Sequence, residues 1–315
     1  MSAHQSRKVI YAALVGNSLI AVCKFIAGGI TGSSAMLSEA IHSVVDSGNQ
    51  LLLLYGIRRA NRPADSNHPF GYGMELYFWT FVVAILIFAV GAGLSLYKGV
   101  IHVMHPEPIN SPYVNYVVLA LSIIFEAVAW TIAYREFNKM RGDTPLFQAI
   151  RRSKDPTVFT VLFEDTAAMI GLVVAFLGVA GSHYLGWHVM DGIASIVIGL
   201  VLASVAILLA IESKGLLIGE GADRRTVAVV RDILIGDTRI KGANEVLTMH
   251  LGPNEILLNA SIDFQDGLSA EDVEAAISEF EAKIKREVPS IRRIFIEAQS
   301  WSGHQTDAQS VRGSD

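Results

Sequence analysis

The chain has 315 residues, 51% of them hydrophobic, and a formal net charge of −5 at pH 7. So apolar a composition is foreign to an ordinary soluble domain and points to several membrane spans, while the mild acidity argues against nucleic-acid binding. One cysteine, Cys23, excludes an intramolecular disulfide framework and a cysteine-cluster metal site.

Six apolar runs are each near the roughly 20 residues that a bilayer-crossing helix needs. They cover 10–30, 35–55, 76–96, 113–132, 158–181 and 189–211. The short polar N-terminus and the long first run read as a retained helix without a cleavable signal peptide. Arg7 and Lys8 precede the first span, Arg58, Arg59 and Arg62 follow the second, and Arg135, Lys139, Arg141, Arg151, Arg152 and Lys154 lie between the fourth and fifth. The alternate loops, 31–34, 99–112 and 182–188, are nearly free of such charge, so the positive-inside rule places both termini in the cytoplasm. Lys24, a cation within the first span, is read as snorkelling to the outer interface. Gly28, Gly29, Gly32, Gly91 and Gly93 are read as sites of close helix packing.

After Ile211 the segments become short, charged and amphipathic, and a soluble domain is expected. A helix over 223–234 carries Val227, Val230 and Leu234 on one face. Strands follow over 245–250 and 256–264, parted by the turn signal Gly252-Pro253-Asn254. Ser269 with Asp272 starts a helix to about residue 286, with Val273, Ile277, Phe280 and Ile284 as its apolar stripe. A last strand covers 293–298. The expected layout is an α-helical membrane protein: a six-helix transmembrane domain over 1–212, a cytoplasmic α+β domain of order α-β-β-α-β over 213–301, and a disordered tail over 302–315.

Within the second span, Ser38 to Asn49 carries His42 and Asp46, one helical turn apart on one face. An imidazole and a carboxylate at that spacing make half of a tetrahedral zinc-type site, although the same pair could serve only to hold two helices together. Ionisable groups inside a span are costly, which makes them a functional hypothesis. The fifth span carries the adjacent acids Glu164 and Asp165, about 100° apart, so at most one faces His42 and Asp46. Both clusters fall near mid-bilayer. Histidine with carboxylates suits Zn²⁺, whereas an all-oxygen set would lean toward Mn²⁺ or Mg²⁺. Metal binding needs neutral histidine and ionised carboxylate, so such a site exchanges metal for protons. In the loop after the second span, Asp65 and His68 are either a second, weaker metal site or a helix-start cap. Glu126 is read as an interhelical hydrogen-bonding group or part of a proton path, Asp191 as the cap of its own helix, and the outer-loop histidines His102, His105, His183 and His188 as solvated. His250 and Glu297 are candidate ligands or plain strand-end polar residues. There is no Walker A loop and no His-Glu-x-x-His, hence no ATPase and no metalloprotease signature.

The run from Gly32-Ser33-Ser34-Ala35 to Asn49 with His42-x-x-x-Asp46 resembles the cation diffusion facilitator family of metal/proton antiporters. So do Asn67-His68-Pro69-Phe70-Gly71-Tyr72-Gly73, the stretch from Asp191 to Ser195, and the layout of six spans plus a ferredoxin-like domain. The stretch from Phe70 to Trp79, with Glu164-Asp165-Thr166-Ala167-Ala168, is similar to the branch that includes the mitochondrial zinc transporter of animals and its bacterial relatives. The resemblance implies a Y-shaped homodimer in the bilayer that alternates between inward- and outward-facing forms. It also implies secondary-active efflux of a divalent metal, zinc first and Mn²⁺, Fe²⁺ or Co²⁺ as alternatives, in exchange for protons. A cell's inner membrane is the expected location, since no organelle-targeting presequence is visible. The resemblance places ligands at His42, Asp46 and Asp165. The position four before Asp165 is Val161, which cannot ligate, so the fourth ligand is open among Glu164, a water and Asn49; Glu164 is taken to participate as ligand or proton carrier. The inner-loop site retains Asp65 and His68 but has Tyr72 at its last position, so it is expected to be weak or absent. In the cytoplasmic domain Glu297 stands at a ligand position and Ser261 at another, so dimerisation without a full binuclear site is expected. A metal-binding membrane sensor without transport is the alternative of another class.

Overall fold

The computed structural model describes residues 3–141, 145, 154 and 156–312; Arg151 and Arg152 of the basic loop and positions 313–315 of the tail lie outside the described residues. The chain forms two compact units, one running to Arg59 and from Glu75 to Lys214, the other comprising Ala60–Met74 and the chain from Gly215 onward. The expected boundary at 212 therefore falls two residues later, and the 60–74 loop groups with the second unit.

Among the described residues, six long helices build the first unit: α1 (Ala3–Thr31), α2 (Ser34–Ala60), α3 (Glu75–Met104), α4 (Pro112–Arg141), α5 (Pro156–Tyr184) and α6 (Val189–Ile218). By length and composition α3, α4, α5 and α6 are apolar enough to cross a membrane, and α1 adds the apolar stretch Asn17–Thr31. The architecture is thus the α-helical multi-pass one expected. α2 is less apolar because Glu39, His42, Asp46, Arg58 and Arg59 interrupt it. α3 passes through a π-helical turn at Ile87–Ala92, which lets it run to Met104, well past the expected end at residue 96.

Two features of helix packing differ from the sequence reading. Asp191, in the first turn of α6, caps another helix: its carboxylate accepts from Ser33 Oγ and from the backbone amides of Ser34 and Ala35 at the start of α2. Asp191 is the third residue of α6, already past the cap position of its own helix, and the orphan amides and positive dipole end of α2 give its carboxylate partners. Of the expected glycines, Gly28 packs closely on Leu37 of α2, but others differ. A Cβ at Gly29 or Gly32 would meet open space, whereas at Gly99, Gly192 and Gly199 it would collide with Ile196, Val103 and Leu96, so α3 and α6 approach closely there. Ser195 of α6 ties the same corner together, donating to Ser95 O at 2.8 Å and bonding Ser38 Oγ of α2.

The second unit has the expected order: α7 (Arg224–Ile235), β1 (Ile240–Gly252), β2 (Glu255–Phe264), α8 (Ala270–Glu287) and β3 (Ile291–Ala298). β1 pairs antiparallel with β2 through the hairpin at Pro253-Asn254, and β2 pairs parallel with β3 by way of α8. Val230 and Leu234 of α7 and Ala276, Phe280 and Ile284 of α8 pack on Leu258, Ala260 and Ile262 of the sheet. Val273 and Ile277 are only half buried, so the α8 stripe is rotated toward Ala276. Asp223 caps α7, and Ser269 with Asp272 forms the expected capping box of α8. Where a disordered tail is expected, a helix α9 (Trp301–Arg312) forms. Its first amides are satisfied by Asp263, which accepts from Trp301 N, and by Ser300 Oγ, which accepts from Gly303 N.

Ser269→Ala removes one half of the capping box. It should cost about 1 kcal/mol locally, seen as faster amide exchange at Asp272 and Val273 of the full-length protein. Unchanged exchange would show that the box contributes nothing.

Candidate metal site

On α2 the residues Glu39, His42, Ser43, Asp46 and Asn49 fall at helical spacing and form one polar face. His42, Ser43 and Asn49 are buried. His42 Nδ1 lies 3.3 Å from Asp46 Oδ1, as the i,i+4 spacing requires, but without the alignment of a hydrogen bond. Among the described residues, both ring nitrogens of His42, Asp46 Oδ1 and Asn49 Oδ1 are buried with no hydrogen-bond partner. Each such orphan costs stability; a neutral imidazole has one unprotonated nitrogen, so the face offers up to three acceptor atoms at once, from His42, Asp46 and Asn49.

α5 supplies the opposing side. Glu164 is 4% exposed and its Oε1 accepts from Asn49 Nδ2 at 2.8 Å. The contact ties the two helices at the polar face. Asp165, one residue on, is half buried and points elsewhere, within electrostatic reach of Glu126 on α4. Both acids, with Glu126, lie within electrostatic reach of Asp46. Trp130 Nε1 of α4 donates to Thr166 Oγ1 at 3.0 Å and holds α5 in this rotation. Among the described residues, no three His, Cys, Asp or Glu side chains converge as a set able to hold a metal ion. The set expected from the resemblance, His42, Asp46 and Asp165, is therefore not assembled in this conformation. The acid bonded to α2 is Glu164, because adjacent helical positions diverge by about 100° and only one can face the partner.

Lys24 departs from the sequence reading. It is 3% exposed rather than snorkelling, and its Nζ donates to Glu39 Oε2 at 2.9 Å and to Ser43 Oγ at 2.8 Å. Glu39 itself, fully buried, is a polar residue that the sequence reading passed over. Its signal was its place three residues before His42 and seven before Asp46 in one apolar run.

The remaining candidates lie apart from this face, each with its own neighbours. Asp65 Oδ1 accepts from the amides of Asn67 and His68, at 3.0 and 2.8 Å, and Oδ2 accepts from Tyr72 Oη at 2.6 Å. His68 stacks on Tyr72, with ring centroids 4.2 Å apart. This is a capped turn in which both carboxylate oxygens are already used. His102, His183 and His188, expected to be solvated, have neighbours: His102 lies 3.7 Å from Asp191, His183 3.3 Å from Tyr116 Oη and His188 3.3 Å from Ser182 Oγ. His250 is buried at the end of β1 with Nδ1 3.3 Å from Gly252 O. Ser261 and Glu297 are register partners on β2 and β3, with Ser261 Oγ engaged by Asn244 and Gln299.

Residues 10–218 match the family profile described as the cation efflux transmembrane domain. The chain is 32% identical over 281 residues to the mitochondrial proton-coupled zinc antiporter SLC30A9 of Xenopus laevis, covering 86% of this chain and 50% of that protein. Against the protein of the same name in Homo sapiens the identity is 32%, over 82% of this chain and 46% of the relative. The cation-efflux pump FieF of Citrobacter koseri is 25% identical over 88% of this chain and 87% of the pump. The chain spans about half the length of the antiporters that it matches at 32% identity. On the match to its transmembrane helices, the chain belongs to the cation efflux, or cation diffusion facilitator, family.

Proposed function

We propose that the protein is a secondary-active efflux transporter that exchanges a divalent metal, zinc first, for protons, through the polar face of α2 and the Glu164–Asp165 pair of α5. The observation that carries this reading is the run of buried, unpartnered nitrogen and oxygen atoms at His42, Asp46 and Asn49 beside the buried Glu164. His42 contributes a borderline-soft nitrogen and so favours Zn²⁺ over Mg²⁺ or Ca²⁺. The carboxylates and the imidazole bind metal only in their deprotonated forms, so loading releases protons and protonation ejects the ion. In this reading His42 and Asp46 are ligands, Asp165 turns in to complete the set when α5 rotates, and Glu164 serves as ligand or proton carrier. The names of the relatives, zinc antiporters and a cation-efflux pump, support the same chemistry.

The accompanying setting is a homodimer in an inner membrane with both termini in the cytoplasm. The lysines and arginines in alternate loops support the orientation. The dimer is supported by the open face of the sheet, where Leu247 and Phe295 stand exposed on either side of Asn259 in one row across the strands. The inner-loop Asp65 and His68 act in this reading as a turn cap rather than as a second metal site.

The test is uptake of Zn²⁺, Mn²⁺, Fe²⁺ and Co²⁺ into proteoliposomes under an imposed pH gradient. Wild type should move zinc against protons, and Asp46→Ala, Asp165→Ala and Glu164→Gln should each lower the rate at least about tenfold. If wild type moves none of the four metals under either gradient, the protein binds without transporting and the sensor reading replaces this one. A second prediction concerns the loop. The hydroxyl of Tyr72, then the backbone amides, hold the Asp65 carboxyl below its ordinary range. A depressed folded pKa gives stability that is present above the unfolded carboxylate range and lost as pH falls through the folded value. Tyr72→Phe should therefore raise the Asp65 midpoint and loosen the turn at a higher pH, followed by NMR of a labelled carboxyl. An identical midpoint in both proteins would remove Tyr72 as the cause.

A further inference from the structure

The polar face of α2 continues past the candidate site toward the α1–α2 turn. Glu39 lies one turn nearer that turn than His42 and Ser43. There Lys24 of α1 bonds both Glu39 Oε2 and Ser43 Oγ. Glu39 Oε1, buried and without a hydrogen-bond partner among the described residues, rests against Gly171 of α5, where any side chain would clash with it. Gly171 is seven residues, two helical turns, beyond Glu164 and so on the same face of α5. α2 and α5 therefore face each other at two levels: Asn49 with Glu164 at the site, and Glu39 with Gly171 above it.

We propose that the Lys24–Glu39 ion pair is the gate on the α1–α2 side of the site, a tethered side-chain plug that keeps a divalent cation from passing Gly171 until the pair breaks. The inference rests on the transport reading given above. Three features carry it. The pair connects α1 to α2 through side chains alone, so it can part without unfolding either helix. Lys24 holds the Glu39 side chain across the gap at Gly171, so the passage is filled while the pair is intact. The position opposite Glu39 is a glycine, so the carboxylate fills the gap between α2 and α5 and no side chain at position 171 holds it there; its hold is Lys24. A buried ion pair is weak support for stability but an effective two-state latch.

The test compares wild type with the isosteric pair Lys24→Met/Glu39→Gln, which removes both charges and leaves no lone buried ion. Two quantities are read: zinc binding to the purified full chain, and zinc flux into dye-loaded vesicles with a zinc gradient and no pH gradient. The charge-swapped pair Lys24→Glu/Glu39→Lys is the rescue control. The gate predicts that the neutral pair binds zinc within about threefold of wild type while its proton-independent flux rises at least about tenfold, and that the swap restores a tight vesicle. Unchanged flux with binding intact overturns the gate. Loss of binding in the neutral pair, restored by the swap, also overturns it, since the ion pair would then be shaping the site itself. A wild type that binds no zinc overturns the underlying site reading, a result distinct from failure of the gate.

Discussion

The structure of the first unit is dominated by the need to bury a polar helix face. α2 carries Glu39, His42, Asp46 and Asn49 among apolar residues, and each of these groups loses its hydration on burial. Neighbouring helices answer most of that demand. Lys24 neutralises Glu39, Asn49 donates to Glu164, Ser195 bonds Ser38, and Asp191 closes the amino end of α2. The glycines of α3 and α6 let those two helices approach closely at the corner where Ser195 and Asp191 act. Among the described residues, the demand left unanswered on α2 lies at His42, Asp46 and Asn49, and also at Ser34 Oγ, Glu39 Oε1 and Gln50 Oε1.

The second unit follows different physics. Its core is a conventional sandwich of two amphipathic helices on a three-stranded sheet. The 60–74 loop is part of the same unit. Arg293 of β3 donates to Pro69 O at 3.0 Å and lies over the Phe70 ring at 5.2 Å, while Gly73 sits against the Leu251 carbonyl where no side chain would fit. The guanidinium stacks and donates at once, a geometry open to arginine but not to lysine. Asp65 shapes the loop by accepting from the amides of Asn67 and His68 and from Tyr72 Oη.

Much of this was legible in the sequence, and the reasons differ by element. The spans stood out because length and apolarity are hard requirements in a bilayer. The α-β-β-α-β order followed from periodicity, the Gly252-Pro253-Asn254 turn and the Ser269 capping box. His42 and Asp46 were visible because ionisable residues one turn apart in an apolar run are costly. What escaped depended on partners distant in sequence. Lys24 looked like a snorkelling cation because its partner, Glu39, lies on the next helix. Asp191 looked like a cap for its own helix because nothing local points to the amides of Ser34 and Ala35, 157 and 156 residues away. Glu164 and Asp165 were singled out as a pair, but which one meets α2 depends on the rotation of α5, set by contacts such as Trp130 with Thr166. The helix over Trp301–Arg312 was missed because its start is capped by Asp263, on β2.

The most direct measurement is zinc X-ray absorption on the purified, zinc-loaded protein, with His42→Ala alongside. If the polar face of α2 holds the ion, the first shell is nitrogen and oxygen at about 2.0–2.1 Å, with imidazole outer-shell scattering that disappears in His42→Ala. A sulfur-containing shell, or imidazole scattering that persists unchanged in His42→Ala, would place the metal elsewhere and contradict the account.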